Sequence, residues 1–251
     1  MSFVEQLKRS FAISKKNVKI YYSKGPVIIF GLLLPLFLFL AYTIGREMSV
    51  KELMPGLIGM TVFFTSTSVG PAIVPWETRS KTLERLLCCP IEFWAILLGD
   101  MLSSFIFGIT ISIIPTMFTL ILGLEPINFV IMVLSLILAS FCFSALSVLF
   151  SSYPPTDIPA TTMMMSSLVK FPLVFISGIF IPIEQLPYWG QIVASVSPLT
   201  YFTDIVRRLI LHSGYYTMQV DFMAIAIFTI IFATASIKIH ERTLPKRISG
   251  Y

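Results

Sequence analysis

Histidine and cysteine, the side chains best suited to metal binding and nucleophilic chemistry, are few in this sequence. The two histidines, His212 and His240, lie in different polar segments, and nothing in their spacing brings them together. Cys88 and Cys89 are adjacent and have no second cysteine pair or nearby histidine, which argues against a disulfide framework and a metal site. We therefore expect no catalytic residue, no metal and no cofactor bound by this chain.

Sequence motifs for nucleotide binding and hydrolysis are also missing. The chain has no GxxxxGK(S/T) loop to hold phosphates, no HExxH zinc motif and no GxSxG nucleophile turn. Ser167 and Lys170 fit SxxK by letter, but no SDN or KTG motif accompanies them, so the match is attributed to chance. If the protein moves a substrate uphill, the energy is expected to come from another chain.

The composition is typical of a membrane protein. Of 251 residues, 56% are apolar and 12% are charged, about half the charged share of an average soluble domain. The mean hydropathy is +0.87. Such a chain lacks the polar residues needed to cover a water-soluble globule, which argues against soluble enzymes and disordered proteins. The predicted fold class is an all-α polytopic membrane protein.

Long runs without charge divide the chain into predicted membrane spans. A helix needs about 20 residues to cross a bilayer, and six such segments fit within one transmembrane domain, residues 1–251. The predicted spans are 26–45, 55–75, 93–122, 127–150, 159–182 and 221–238.

The positive charges predict which side of the membrane each loop faces. Thirteen Lys and Arg residues fall in the N-terminal segment, the loop between spans two and three, and the C-terminal tail. The opposite loops hold four, which are Arg46, Lys51, Arg207 and Arg208. Because basic loops stay in the cytoplasm, both termini of this multi-pass protein of the cell membrane are predicted to be cytoplasmic. The net charge of +5 then reflects topology and anionic lipid, not a nucleic-acid partner.

Residues 1–24 predict an amphipathic helix in the cytoplasmic interface. At about 100° per residue, apolar side chains share one face and basic side chains the other. The apolar face comprises Phe3, Leu7, Phe11, Val18 and Tyr21. Anionic lipid would anchor such a helix. The alternative is a basic flank with no mechanical role.

Two stretches of the chain carry a family resemblance. The first is the loop Trp76–Pro90, WETRSKTLERLLCCP, between spans two and three. The second is Phe171–Pro187, FPLVFISGIFIPIEQLP, followed by Ser197–Arg207, SPLTYFTDIVR. In this order and within six spans, they resemble the membrane subunits of ABC-2 type (ATP-binding-cassette, type 2) exporters.

The loop between spans two and three has the properties of a docking helix. Leu83, Leu86 and Leu87 line one side of a short helix, and charged residues of both signs surround it. An apolar ridge with mixed charge suits a groove on a soluble partner. The resemblance implies a helix that couples the chain to an ATPase, formed by Glu77, Thr82, Leu83, Glu84, Arg85 and Leu86. The alternative is a solvated loop.

Residues 182–220 are predicted to lie outside the cell. The apolar residues of the segment after Pro198 follow helical spacing, whereas Asp204, Arg207 and Arg208 point elsewhere, which fits an amphipathic helix at the outer interface. The resemblance implies short re-entrant helices that cap the pathway, with Gly178 allowing a bend. An ordinary surface loop is the alternative.

Asp100 and Lys170 are the clear charges within the predicted spans. An unpaired charge at the bilayer centre costs at least about 2.5 kcal/mol. We therefore hypothesise an Asp100–Lys170 contact or a water-lined cavity at Lys170. Alternatively, span five begins later and Lys170 lies at the cytoplasmic interface. The resembling family often carries Lys at the span-three position, so Asp100 is a departure from its pattern.

The resemblance implies the permease half of an ATP-driven exporter. Its partners would be an ABC ATPase subunit that binds ATP and a second permease copy or a homologous chain, within membrane lipid. Spans two and five are the candidates to line the pathway. The candidate pathway residues are Thr65, Ser68, Asp100, Lys170, Ser177 and Gly178. The substrate class, whether drug, lipid, glycan or ion, stays open. An ion-gradient-driven transporter and a membrane scaffold or assembly protein are the alternative functions.

Overall fold

The computed structural model describes residues 3–44, 49–124 and 126–248, and within these it contains helices and no strands. Gly45, at the end of the predicted first span, and Arg46, in the predicted outer loop, lie outside the described residues. The helices are α1 (Phe3–Tyr21), α2 (Gly25–Ile28), α3 (Leu34–Thr43), α4 (Val50–Ser68), α5 (Gly70–Arg79), α6 (Thr82–Leu87), α7 (Phe93–Ile121), α8 (Phe129–Ser151), α9 (Pro159–Ile176), α10 (Tyr188–Ser195), α11 (Pro198–Leu211) and α12 (Met218–Ile248).

Five helical segments of the described chain are long and apolar enough to cross a membrane, and a bent N-terminal pair makes up to six. The five are Val50–Arg79, Phe93–Ile121, Phe129–Ser151, Pro159–Ile176 and Met218–Arg247. In the bent pair, α1 meets the segment Gly25–Ala41 at 93°. These segments confirm an all-helical, polytopic membrane fold.

Prolines shape the first two apolar segments. A π-helical turn, Ile29–Leu33, joins α2 to α3, and Leu34 donates its N–H to the carbonyl of Ile29, five residues back. Pro35 lies in the first turn of α3 and has no N–H to donate. In the second segment, α4 and α5 meet at Val69, beside Pro71. Both breaks therefore fall where a proline cannot continue the helical hydrogen bonding.

The segment formed by α4 and α5 is the centre of the fold. In its most apolar stretch 94% of the residues are buried, against 22% for α12. Phe63 packs edge-on against Phe143 of α8, and Phe143 packs in the same way against Phe202 of α11. The more peripheral helices expose large apolar side chains, such as Ile114 of α7 and Met223 of α12.

Two helices differ in length from the spans that the charges suggest. Helix α9 ends at Ile176, and Ser177 and Gly178 follow it as a turn, with Gly178 at a φ of 73°. Helix α12 continues to Ile248. Near its end, Arg247 donates to the carbonyls of Ser151 and Thr156, so the last turns pack against the α8–α9 loop.

Short helices α10 and α11 follow the fifth apolar segment, as predicted, but α11 is more deeply packed than an interfacial helix. Leu199, Phe202 and Val206 are buried in the main core. Asp204, predicted to point away, is also buried and accepts hydrogen bonds from the backbone N–H groups of Tyr215 and Tyr216. That α10 and α11 enter the membrane as re-entrant helices stays a prediction.

Candidate functional site

Helix α6 is a short, partly exposed helix at the end of the central segment. Lys81, the residue before α6, has a left-handed backbone conformation with φ 54°, which turns the chain sharply after α5. Leu83 is buried, whereas Glu84 and Arg85 are exposed. Leu83 therefore anchors the helix to the protein and is unavailable for an apolar docking ridge. The two charged side chains form the outward face.

The predicted coupling residue Glu77 does not share this outward face. It is fully buried on α5, and one of its carboxylate oxygens forms an ion pair with Lys16 of α1. Thr82, at the start of α6, donates to the Glu77 carbonyl over 3.3 Å. Glu77 therefore joins α1 to the root of α6. Sequence reasoning placed Lys16 on the basic face of the amphipathic helix and gave no sign of this pair.

A buried stripe of polar residues holds α1 against α7. Ser10 donates to the carbonyl of Ala95 over 2.7 Å, and Asn17 donates through Nδ2 to Oδ1 of Asp100 over 2.6 Å. The helices can approach closely because Gly99 has no side chain. A Cβ at this position would lie 2.8 Å from the Ser10 carbonyl oxygen. The stripe comprises Gln6, Ser10, Ser14 and Asn17. Their spacing places them on one helical face, which was the available sequence signal.

The amphipathic helix predicted for residues 1–24 is present as α1. Phe3 and Phe11 of its apolar face are exposed, and the side that packs on the protein is the polar stripe. Phe3 stacks on Trp94 with ring centroids 5.6 Å apart. Tyr21 is the exception, since it is buried and stacks on Trp76 at 5.1 Å. Burial raises the pKa of Tyr21 above its ordinary value, and the neighbouring Glu77 carboxylate adds to this effect.

Asp100 and Lys170 have separate partners, so the hypothesised contact between them is wrong. Asp100 is bonded to Asn17, whereas Nζ of Lys170 donates to the carbonyl of Thr67 over 2.7 Å. Lys170 is 3% exposed. It is therefore enclosed by protein and does not face lipid headgroups. The ammonium instead lies at the α4–α5 joint, 5.9 Å from the centroid of the Phe150 ring.

The other candidate pathway residues are buried within the protein. Thr65 donates to the carbonyl of Thr61 over 2.6 Å, and Ser68 donates to the carbonyl of Thr65 over 2.8 Å. Ser177 lies 3.0 Å from the Ser197 hydroxyl, at the start of the outer helices. The hydroxyls of Thr65 and Ser68 are thus engaged within the central segment, and that of Ser177 at the turn after α9. Their place in a transport pathway stays a prediction.

A cavity of about 510 Å³ lies between the first turns of α4 and the segment after α9. Its walls include the charged residues Glu52, Glu184 and Arg207. Arg207 also donates a hydrogen bond to the Gly178 carbonyl over 2.9 Å. Met60 and Ile179 supply apolar surface. The cavity opens at the end of the molecule opposite to α6.

An all-helical chain with five or six segments that are long and apolar enough to cross a membrane has the architecture of a polytopic membrane protein. The chain belongs to the ABC-2 type transporter family, whose sequence model matches residues 3–211. This match includes every helix from α1 to α11. Membership of this family makes transport the function to test for this chain.

Named relatives agree with this assignment at modest identity. The probable multidrug ABC transporter permease YbhR of Escherichia coli strain K12 is 28% identical over 169 residues, 63% of this chain and 43% of that protein. A protein named as a transport permease, ycf38 of Cyanophora paradoxa, is 26% identical over 168 residues, 64% of this chain and 56% of that protein. The chain thus spans about half the length of the curated relatives it matches.

Proposed function

We propose that this chain is the membrane-spanning subunit of an ATP-driven exporter that works with a separate ABC ATPase. The observation that carries the proposal is the placement of α6. It exposes Glu84 and Arg85 while Leu83 fixes it to the protein. Such a helix offers a charged contact to a soluble subunit and transmits force to the helix behind it.

The path of that force follows from the fold. Helix α6 is joined to α5, and α5 continues into α4, the most buried segment of the protein. A packed interior does not deform continuously, so displacement of α6 must shift α5 and its neighbours together. The Glu77–Lys16 ion pair would carry the same motion to α1. ATP-driven movement of the partner could thereby alternate access through the membrane.

The sidedness of the proposal rests on charge. The end of the molecule that carries α1 and α6 also carries the basic end of α12. Thirteen Lys and Arg residues belong to this end by sequence. The positive-inside rule assigns it to the cytoplasm, where the ATPase would bind. The cavity beside Arg207 then faces outward.

The proposed pathway lies between two copies of the chain. Helix α9 exposes a stripe of large apolar residues, including Met164, Leu168 and Phe175. A second copy could cover this stripe and leave a passage suited to lipophilic compounds. The Escherichia coli relative is named as a multidrug permease, which supports a drug-like lipophilic substrate as the class to test first.

The test is co-expression of the chain with a candidate ABC ATPase, followed by affinity purification and assay of ATP hydrolysis. The double variant Glu84→Lys and Arg85→Glu reverses the exposed charges of α6 and should reduce ATPase recovery at least about tenfold, the effect of losing about 1.4 kcal/mol of binding. Asp157→Lys, an exposed acid in the α8–α9 loop, is the control and should bind normally. Unchanged recovery and ATP hydrolysis in the double variant would refute α6 docking. A panel of lipophilic drugs that leaves hydrolysis unchanged would refute the substrate class alone.

A further inference from the structure

The junction of α1, α5 and α7 contains buried oxygen atoms that lack a hydrogen-bond donor. They are Oγ of Ser14, Oδ1 of Asn17, Oε2 of Glu77 and Oδ2 of Asp100. Asn17, Glu77 and Asp100 are 0% exposed, and Ser14 is 2% exposed. Buried polar atoms normally have partners, so four unpartnered oxygens on three packed helices require an explanation.

Two polar contacts and the helical spacing place the residues that carry these oxygens along one stretch of α1. The Asn17 amide bonds to Asp100, so its own Oδ1 lies beside that carboxylate. Lys16, the residue before Asn17 in α1, forms an ion pair with Glu77. The Cα atoms of such neighbouring residues are about 3.8 Å apart. Ser14 lies three residues before Asn17, on the same face of α1. The two carboxylates therefore flank a single stretch of one helix.

The charge at this junction is not balanced. Glu77 and Asp100 are acidic, and Lys16 is the basic group that acts on both. The Lys16 side chain is 31% exposed, whereas the Glu77 side chain is fully buried. With both carboxylates ionised the cluster carries one excess negative charge. Burying an uncompensated charge is costly, so the site favours one added positive charge.

We propose that this cluster binds one Na⁺ ion, with oxygen ligands from Ser14, Asn17, Glu77 and Asp100. Hard cations take carboxylate, amide and hydroxyl oxygens as ligands, which are the atoms left without donors here. A single positive charge cancels the excess, whereas a divalent ion would overcompensate beside Lys16. A proton on Asp100 would let Oδ2 donate to Oδ1 of Asn17, but it would leave the Ser14 and Glu77 oxygens without partners. The ion would fasten α1 to the second and third membrane segments, and this role does not depend on ATP-driven transport.

The test is thermal unfolding of the purified full chain in detergent at constant pH and ionic strength. NaCl should raise the unfolding midpoint saturably, whereas N-methyl-D-glucamine chloride should not. Binding of radioactive ²²Na⁺ should give about one ion per chain. Ser14→Ala removes one ligand with little change in volume and should raise the half-saturating Na⁺ concentration about tenfold, in line with the effect of altering a metal site. Asp100→Asn should abolish binding, and Asp157→Asn, an exposed loop acid, is the matched control.

Three outcomes would overturn the proposal. The first is equal stabilisation by NaCl and N-methyl-D-glucamine chloride. The second is ²²Na⁺ binding that Ser14→Ala and Asp100→Asn leave unchanged. The third is a midpoint that changes with pH but not with Na⁺, which would identify a proton as the compensating charge. If Asp100→Asn does not fold, the Ser14→Ala titration decides, because that variant keeps both carboxylates.

Discussion

The ammonium group of Lys170 donates a hydrogen bond to the carbonyl oxygen of Thr67, 2.7 Å away, at the joint between α4 and α5. In a continuous helix this carbonyl would accept from the residue four positions on, but that residue is Pro71, which has no N–H. Lys170 of α9 therefore replaces the missing backbone donor. The buried charge that the sequence left unexplained serves as a link between the fifth apolar segment and the bend in the second.

The role of Lys170 predicts a specific loss of stability. Lys170→Met should destabilise the protein by about 1–3 kcal/mol, because the Thr67 carbonyl stays buried without a donor. Lys170→Arg keeps a donor and should lose less. The measurement is the thermal unfolding midpoint in detergent.

A double-mutant cycle separates this hydrogen bond from other effects of Lys170. Pro71→Ala restores an N–H for the Thr67 carbonyl, so Lys170→Met should cost about 1 kcal/mol less in that background. Equal costs in both backgrounds would show that Lys170 acts through something other than the proline gap.

The Lys16–Glu77 ion pair predicts that replacing Lys16 lowers stability more than replacing its neighbour Lys15. Lys16→Met leaves the buried Glu77 carboxylate without its basic partner. Breaking a fully buried pair costs about 3–5 kcal/mol and exposed pairs are worth about 1 kcal/mol or less, so we expect about 2 kcal/mol for this half-exposed lysine. Lys15→Met, at an exposed position, should change stability by less than about 0.5 kcal/mol. Unfolding midpoints of the two variants check this, and equal values would contradict a structural role for the pair.

Close contact of α1 with α7 predicts that Gly99 does not tolerate a side chain. A Cβ there would lie 2.7 Å from the Ile13 side chain and 2.8 Å from the Ser10 carbonyl oxygen. Gly99→Ala should therefore push α1 outward and cost about 1–3 kcal/mol, the usual effect of overpacking. Gly25→Ala is the control, because its Cβ would have no neighbour within 4 Å. Limited proteolysis should cut α1 faster in Gly99→Ala than in Gly25→Ala. Equal rates would mean that the helices separate at no cost.

Charge-free runs were enough to predict the helical class and the general position of the apolar segments, because the bilayer imposes length and hydropathy directly. The faces of the helices were harder to predict. The periodicity of α1 placed its apolar face in the membrane interface, which fits the exposed Phe3 and Phe11, but it did not identify the polar stripe as the side that packs on the protein. Inside a membrane protein polar side chains can pair with one another while apolar ones meet lipid, so hydropathy alone does not assign the inner face.

Contacts between distant parts of the chain were also beyond the sequence. Glu77 lies in a motif that resembles a docking region, but its partner Lys16 is on another helix. Likewise, Lys170 and Asp100 were considered together because each lacked a visible partner, whereas Thr67 and Asn17 supply those partners. Backbone carbonyls freed by proline and amides on an interfacial helix carry no charge signal in the sequence.

At the opposite end of the molecule, the hydrogen bonds of Asp204 predict that this residue keeps the loop after α11 ordered. Its two carboxylate oxygens accept from the backbone N–H groups of Tyr215 over 2.8 Å and of Tyr216 over 3.0 Å. Asp204→Asn replaces one acceptor with a donor that faces an N–H group, so the loop should lose about 1–3 kcal/mol of local stability. Hydrogen exchange should then be faster in the segment 212–217 than in the rest of the chain. Glu184→Gln removes an exposed acid at the same end and should leave exchange unchanged. If Asp204→Asn also leaves it unchanged, the loop is held by its packing, including the Tyr215–Tyr216 ring contact, and the buried carboxylate is not what orders it.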